Sequence, residues 1–199
     1  MKIAVIGTGR MGTGLATGLA KSGHEVVLGS RDPSAAGAAV ERSGASGVVG
    51  QAEAVTGAEV VVLAVPWVAV EATIPDLGDL AGKILIDITN PYVDGKLQPD
   101  VPTTERIQQW APGARVVKGW NHVYSSNLTR PEVDGQASTV FLAGDDGAAK
   151  ETVAGLARDI GFDPVDVGGT EKAFVLSRLL GVMGGLGLGP DQPLKVLRR

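Results

Sequence analysis

KIAVIGTGRMGTGLATGLAKSGHEVVLGSRDP, residues 2 to 33, decides the fold. The apolar run KIAVI meets GTGRMG (7 to 12), an Ala- and Leu-rich stretch follows as far as Ser22-Gly23, and HEVVLG then opens a second β-branched run. Three glycines in G-x-G-x-x-G spacing mean little by themselves in a chain with 29 of them, where a turn that merely packs a helix on a strand is the plain alternative. Strand, loop and helix in that order carry the weight. Gly7 and Gly9 allow a tight turn and close approach to a pyrophosphate, Gly12 lets the helix lie against the strand, and the helix N-terminus turns its amides toward the phosphates. The stretch reads as the first βαβ of a dinucleotide-binding fold.

The end of the second strand selects the dinucleotide. An NAD site places an acidic residue there for the ribose hydroxyls, whereas this chain has Leu28-Gly29-Ser30-Arg31, a hydroxyl and a guanidinium suited to a 2′-phosphate. NADP(H) is the expected cofactor. Asp32 precedes Pro33 and reads as a helix N-cap with proline at the first helical position.

Outward from this unit, the apolar runs SGVV, AEVVVLAV, GKILIDI, ARVVKG, ASTVFLAG and DPVDV alternate with helical stretches. Several are apolar throughout, the pattern of strands in a parallel sheet covered on both faces. The fold class is α/β, a doubly wound, mainly parallel Rossmann-type sheet. We expect residues 1–199 to form one NADP-binding domain in which 136–199 extend the same sheet by a strand, a helix and a strand, ending in a helix from Thr170 to Val182.

Composition narrows the partners. A formal charge of −4 arises from interspersed charges, so neither nucleic acid nor an anionic membrane is an expected partner. With no cysteine and two histidines, disulfides, thiolate chemistry and a His- or Cys-built metal site are not expected. The longest strongly apolar stretch, Val60 to Val70, is half a bilayer span and contains Pro66, and MKIAVIG lacks the pattern of a signal peptide. A cytoplasmic enzyme with a small-molecule substrate is the expectation.

In open α/β sheets ligands bind beyond the carboxyl ends of the strands. The segments there are Ala64-Val65-Pro66-Trp67, Asn90-Pro91-Tyr92 and Lys118-Gly119-Trp120-Asn121-His122 with Tyr124. They hold Trp67, Tyr92, Trp120 and Tyr124, four of the eight aromatic residues in the chain, which suggests either a seat for flat rings or loop-on-loop packing. Asn90 is a candidate cofactor contact. His24 reads as a surface residue, and His122 as either a structural hydrogen-bonder or a pocket residue. For reduction of a carbonyl or imine, a proton donor is needed, and Lys118, His122 and Tyr124 are the candidates.

Residues 1 to 32, AVPW, GKILIDITNP, VVKGWNHV and GFDPVDVG together resemble the NADP-dependent oxidoreductases that exchange hydride with the deazaflavin coenzyme F420, and also the cytosolic reductase domain of the six-transmembrane metalloreductases. The resemblance spans nearly the whole chain. It implies that Gly7, Thr8, Gly9, Arg10, Met11 and Gly12 hold the pyrophosphate, Ser30 and Arg31 the 2′-phosphate, and that Val65 and Pro66 border the nicotinamide. It further implies that VVKGWNHV, with Lys118, Trp120 and Asn121 as candidate catalytic residues, walls the second ring, and that the glycine-dense segment 181–189 approaches it. Asn121 stands where the resemblance to the F420 enzymes leads one to expect histidine. Three functions are compatible with the residues: hydride exchange between NADP(H) and a flavin-type acceptor, foremost F420; NADPH-dependent reduction of a small carbonyl or imine; or a non-catalytic NADP-binding sensor. The helix FVLSRLLGVM is apolar around most of its circumference, which suggests a homodimer.

Overall fold

The computed structural model describes residues 1–98, 100–189 and 192–197. Its centre is a six-stranded parallel sheet of β1 (Lys2–Ile6), β2 (Glu25–Ser30), β3 (Gly47–Gly50), β4 (Val60–Leu63), β5 (Ile84–Asp87) and β6 (Arg115–Lys118), in the order β3-β2-β1-β4-β5-β6. The order reverses direction between β1 and β4, which opens a crevice at their carboxyl ends. The helices α1 (Arg10–Lys21), α2 (Gly37–Ser43), α3 (Gln51–Val55), α4 (Trp67–Asp76) and α5 (Thr103–Trp110) are interleaved with these strands.

Both faces of the sheet are buried, and this explains the continuous apolar runs. Ile3, Val5, Val60, Val62, Ile84 and Ile86 belong to one core with Leu15 and Leu19 of α1. Their neighbours Ala4, Ile6, Val61, Leu63 and Leu85 belong to a second core with Val70 and Ile74 of α4 and Ile107 of α5. A strand that faces a helical layer on each side has no solvated face on which polar residues could alternate.

The carboxy-terminal part departs from the expected extension of the sheet. Here β7 (Thr139–Leu142), α6 (Gly147–Asp159) and β8 (Asp163–Asp166) form a separate two-stranded parallel sheet with its own crossover helix. It is tied to β6 by an antiparallel bridge between Lys118 and Ala143. Just past the end of β6, Trp120 adopts a left-handed φ of 52°. The last helix, α7 (Thr170–Gly185), runs a turn beyond its expected end. Residues 194–196 lie beside β7: the Thr139 amide donates to the Leu194 carbonyl at 2.8 Å, and Lys195 pairs with Asp163 at 2.8 Å.

A smaller correction concerns Asp32. Its carboxylate accepts from the Ala35 amide at 3.2 Å and the Ser34 hydroxyl at 2.5 Å, but α2 begins only at Gly37, with Ala36 in the cap position. The aspartate caps a turn, because the Pro33-Ser34-Ala35 segment does not propagate into a helix.

Candidate functional site

The glycine loop leaves β1 with Gly7 at a φ of 118°, and a side chain there would put its Cβ 2.4 Å from the Ala64 carbonyl oxygen. A Cβ on Gly12 would lie 2.1 Å from the Gly7 carbonyl oxygen, so the helix approaches the loop only with glycine at that position. Gly9 differs: a Cβ there meets nothing within 4 Å. The protein's own packing therefore places no demand for glycine at this position, and the space above the loop is open. The N-terminus of α1 follows with no side-chain cap and no acidic residue in its first turn. Its first amides remain available to an anion. An open cradle and an uncapped helix end fit a dinucleotide pyrophosphate.

Two adjoining hollows extend from this loop. One, of about 350 Å³, is bordered by Thr8, Ser30, Arg31 and Gln51. Ser30 is already bonded within its turn, its hydroxyl donating to the Asp32 carbonyl at 3.0 Å and accepting from the Asp32 amide at 3.1 Å. That contact fixes the hydroxyl beside Arg31. The second hollow, of about 590 Å³, is lined by Arg10, Met11, Trp67, Ile88, Thr89, Asn90, Tyr92, Asn121, Tyr124 and Leu180, among others. Gly9 and Ala64–Pro66 border both.

The structure thus brings together Gly9, Arg10, Met11, Val65, Pro66, Asn90 and Asn121 on the larger hollow, and Gly7, Thr8, Gly9, Ser30, Arg31, Val65 and Pro66 on the smaller. Gly12 serves from beneath, by packing. Of the four aromatic residues expected at a ring seat, Trp67, Tyr92 and Tyr124 line the larger hollow. Trp67 is itself stacked on Trp110, with ring centroids 5.6 Å apart.

Two candidate catalytic residues are corrected. Trp120 is 2% exposed and belongs to the core, packed in the cluster that covers one face of the sheet. Lys118 is fully buried and does not line either hollow. Its ammonium donates to Asp87 Oδ2 at 3.0 Å, the Thr89 carbonyl at 2.6 Å and Thr103 Oγ1 at 3.1 Å. Asp87 in turn accepts from the Thr89 amide and hydroxyl and from the Thr104 hydroxyl, at 2.7 to 2.8 Å. Burial pulls the Lys118 pKa down, against the opposing attraction of Asp87. This saturated network lies beneath the Thr89-Asn90 segment of the hollow's floor, so Lys118 is a brace and has no free proton to deliver.

The other two donors are also engaged. Tyr124 donates its hydroxyl to the Leu188 carbonyl at 3.0 Å. His122 is 3% exposed, with Nε2 3.1 Å from the Thr139 carbonyl, and burial pushes its pKa down to about 4. The ring is neutral at ordinary pH. His24 pairs with Asp159 at the surface. The glycine-dense segment forms the last turns of α7 and the turn after it, and α7 reaches the hollow through Leu180. Sequence reasoning missed Thr89, Leu180, Gln51 and the Asp87 network. A signal for the last existed: two apolar strands, ILID and RVVK, end in opposite charges, and Asp87 pairs with Lys118 in the sheet register.

Fold order and glycine cradle define a Rossmann-type domain with a hollow at the glycine loop and a second hollow adjoining it. Residues 2–91 match the family model described as NADP oxidoreductase, coenzyme F420-dependent. The chain is 33% identical to the F420-dependent NADP reductase of Methanothermobacter marburgensis, over 90% of its own length and 89% of that protein. It is 36% identical to metalloreductase STEAP3 of Rattus norvegicus over 86% of its length, but spans only 35% of that protein. A crystal structure described as a putative F420-dependent NADP-reductase from Arthrobacter superposes with a TM-score of 0.88 at 35% identity, covering 100% of both chains. A reductive aminase from Aspergillus terreus, at 23% identity and a TM-score of 0.71, covers 94% of this chain and 61% of its own, and shares the fold. The chain belongs to the family of coenzyme F420-dependent NADP oxidoreductases.

Proposed function

We propose that this NADP-dependent oxidoreductase exchanges hydride between NADP(H) and a flavin-type acceptor, with coenzyme F420 the foremost candidate. The observation that carries the reading is the pair of hollows sharing Gly9 and Ala64–Pro66, one sized and polar for a nucleotide, the other walled by Trp67, Tyr92 and Tyr124. NADPH supplies the hydride, and transfer between two rings depends on proximity and exclusion of water. The protein's share of the work is then positional. The 7–12 loop and the α1 amides hold the pyrophosphate, Ser30 and Arg31 hold the 2′-phosphate, Val65, Pro66 and Asn90 border the nicotinamide, and the aromatic walls keep water from the rings.

Carbonyl or imine reduction needs an acid at the reacting atom. Lys118, His122 and Tyr124, the donors weighed for it, are each committed elsewhere, which supports the flavin-type acceptor. The exposed apolar residues of α7 support a homodimer as the working form. Anaerobic NADPH oxidation against F420, FMN, FAD, ferric chelates and simple imines tests the assignment. We expect F420 to be reduced fastest; turnover confined to imines or ketones would overturn it.

A further inference from the structure

The chain carries a formal charge of −4, yet the charge on the larger hollow is a positive one: Arg10 is the only Asp, Glu, Lys or Arg among its lining residues. Although it stands inside GTGRMG, Arg10 lines that hollow and not the smaller one. Its side chain is exposed and makes no hydrogen bond or ion pair with any described residue. Arg10 is also the first residue of α1, whose first turn holds no acidic residue. A cation at that end of a helix is repelled by the positive pole of the helix dipole. No described side chain offsets the repulsion, and an anion from outside would.

A second donor stands on the same hollow. Ser125 opens the short 3₁₀ turn Ser125–Thr129, which lies close against α1, since a Cβ on Gly14 would fall 2.8 Å from Leu128 Cδ1. Ser125 is half-buried, lines the larger hollow, and its hydroxyl has no partner among the described residues. Other polar residues of the lining are engaged differently: Thr89, Asn121 and Tyr124 spend their side-chain donors within the protein, on Asp87, on Asn90 and the Leu176 carbonyl, and on the Leu188 carbonyl. Arg10 and Ser125 keep theirs.

We propose that Arg10 and Ser125 form an anion subsite of the larger hollow, which takes a phosphate carried on the side chain of the ring acceptor. The inference rests on the reading above that a flavin-type ring occupies this hollow. A guanidinium presents paired N–H donors that match two phosphate oxygens, and the serine hydroxyl adds a further donor. The phosphate also supplies the negative charge that the first turn of α1 lacks. A ring without an anionic side chain leaves both donors to water. The subsite acts on binding, with no proton transferred. The dinucleotide's own pyrophosphate is the other source of phosphate oxygens near Arg10, and the test separates the two.

Binding to the full chain is measured with oxidised partners only, so that no turnover enters. At saturating NADP⁺, 5-deazariboflavin is compared with its 5′-phosphate, two ligands with one and the same ring. We expect the phosphorylated form to bind about fivefold to a hundredfold tighter, as a charge-assisted contact at a partly exposed site implies. Arg10→Gln should bring that ratio toward one, Ser125→Ala should lower it less, and added salt should narrow it by screening. A smaller ratio in the parent would overturn the proposal. So would an Arg10→Gln variant that binds NADP⁺ more weakly and keeps the ratio, because the guanidinium would then belong to the dinucleotide pyrophosphate. The comparison of the two ligands needs no variant, so a substitution that fails to fold leaves it decisive. If neither deazaflavin binds, the flavin-type reading fails and the subsite falls with it; if both bind equally, the subsite alone falls.

Discussion

Arg31 is exposed at the mouth of the smaller hollow, and its contribution is expected to be one charge-assisted contact to a 2′-phosphate. Arg31→Ala should weaken NADPH binding by about 1.5–3 kcal/mol, or roughly ten- to over a hundredfold, and leave NADH unchanged; equal losses for both nucleotides in a fluorescence titration would remove the assignment. Lys118 acts from inside. Lys118→Met strands the fully buried Asp87 carboxylate, which should lower stability in urea by about 3–5 kcal/mol, and the double variant Lys118→Met with Asp87→Leu should recover most of it. His122 makes stability depend on pH. Above pH 6.5 it is neutral in both states. As the pH falls below that value the unfolded chain takes up a proton that the folded ring refuses until about pH 4. Stability should therefore fall across this window, by up to about 3 kcal/mol, and His122→Phe should flatten that part of the profile. The sequence showed which residue types stand at these positions. Whether a lysine faces a ligand or seals a carboxylate depends on burial, which one residue's identity does not reveal, and the same holds for the inward turn of Trp120.

At the level of the element, the turn from β1 into α1 separates two uses of glycine that look identical in G-x-G-x-x-G. Gly12→Ala forces the helix off the loop, and an overpacked contact of this kind should cost about 1–3 kcal/mol of stability. Gly9→Ala has open space for its methyl within the protein and a φ of −75° that alanine accepts. It should cost no more than about 1 kcal/mol of stability, the N-cap preference for glycine over alanine, and yet lose nucleotide affinity; calorimetry and an NADPH titration on both variants would show whether the two effects separate this way. The βαβ unit, the six strands and their parallel pairing were legible in the apolar runs, because a strand buried on both faces carries its own signature. The route of the carboxy-terminal strands was not. The sequence ASTVFLAG looks like any interior strand, and nothing in it marks its place in a second sheet; Gly144, just after β7, lies so close to β6 that a Cβ there would fall 2.7 Å from the Val116 carbonyl oxygen.

For the whole molecule, α7 both walls the larger hollow through Leu180 and leaves Val175, Val182 and Leu186 exposed at 56%, 57% and 69%. Their spacing of seven and four residues puts them on one side of a helix. We predict that the chain sediments as a dimer at micromolar concentration and that Val182→Asp converts it to a monomer; a parent already monomeric in the same run would refute the homodimer. The apolar circumference of this helix was visible in FVLSRLLGVM, whereas its contact with the site was not, since Leu180 is one leucine among several. Among all these features, the rim shared by the two hollows has the widest reach. On the proposed reading, Gly9 and Ala64–Pro66 touch both ligands at once, so neither hollow fills without altering the boundary of the other. Their occupancies are then linked variables, each scaling the other's dissociation constant by one common factor. The apparent affinity for the acceptor becomes a function of how much dinucleotide is bound, and through that of the cell's supply of it.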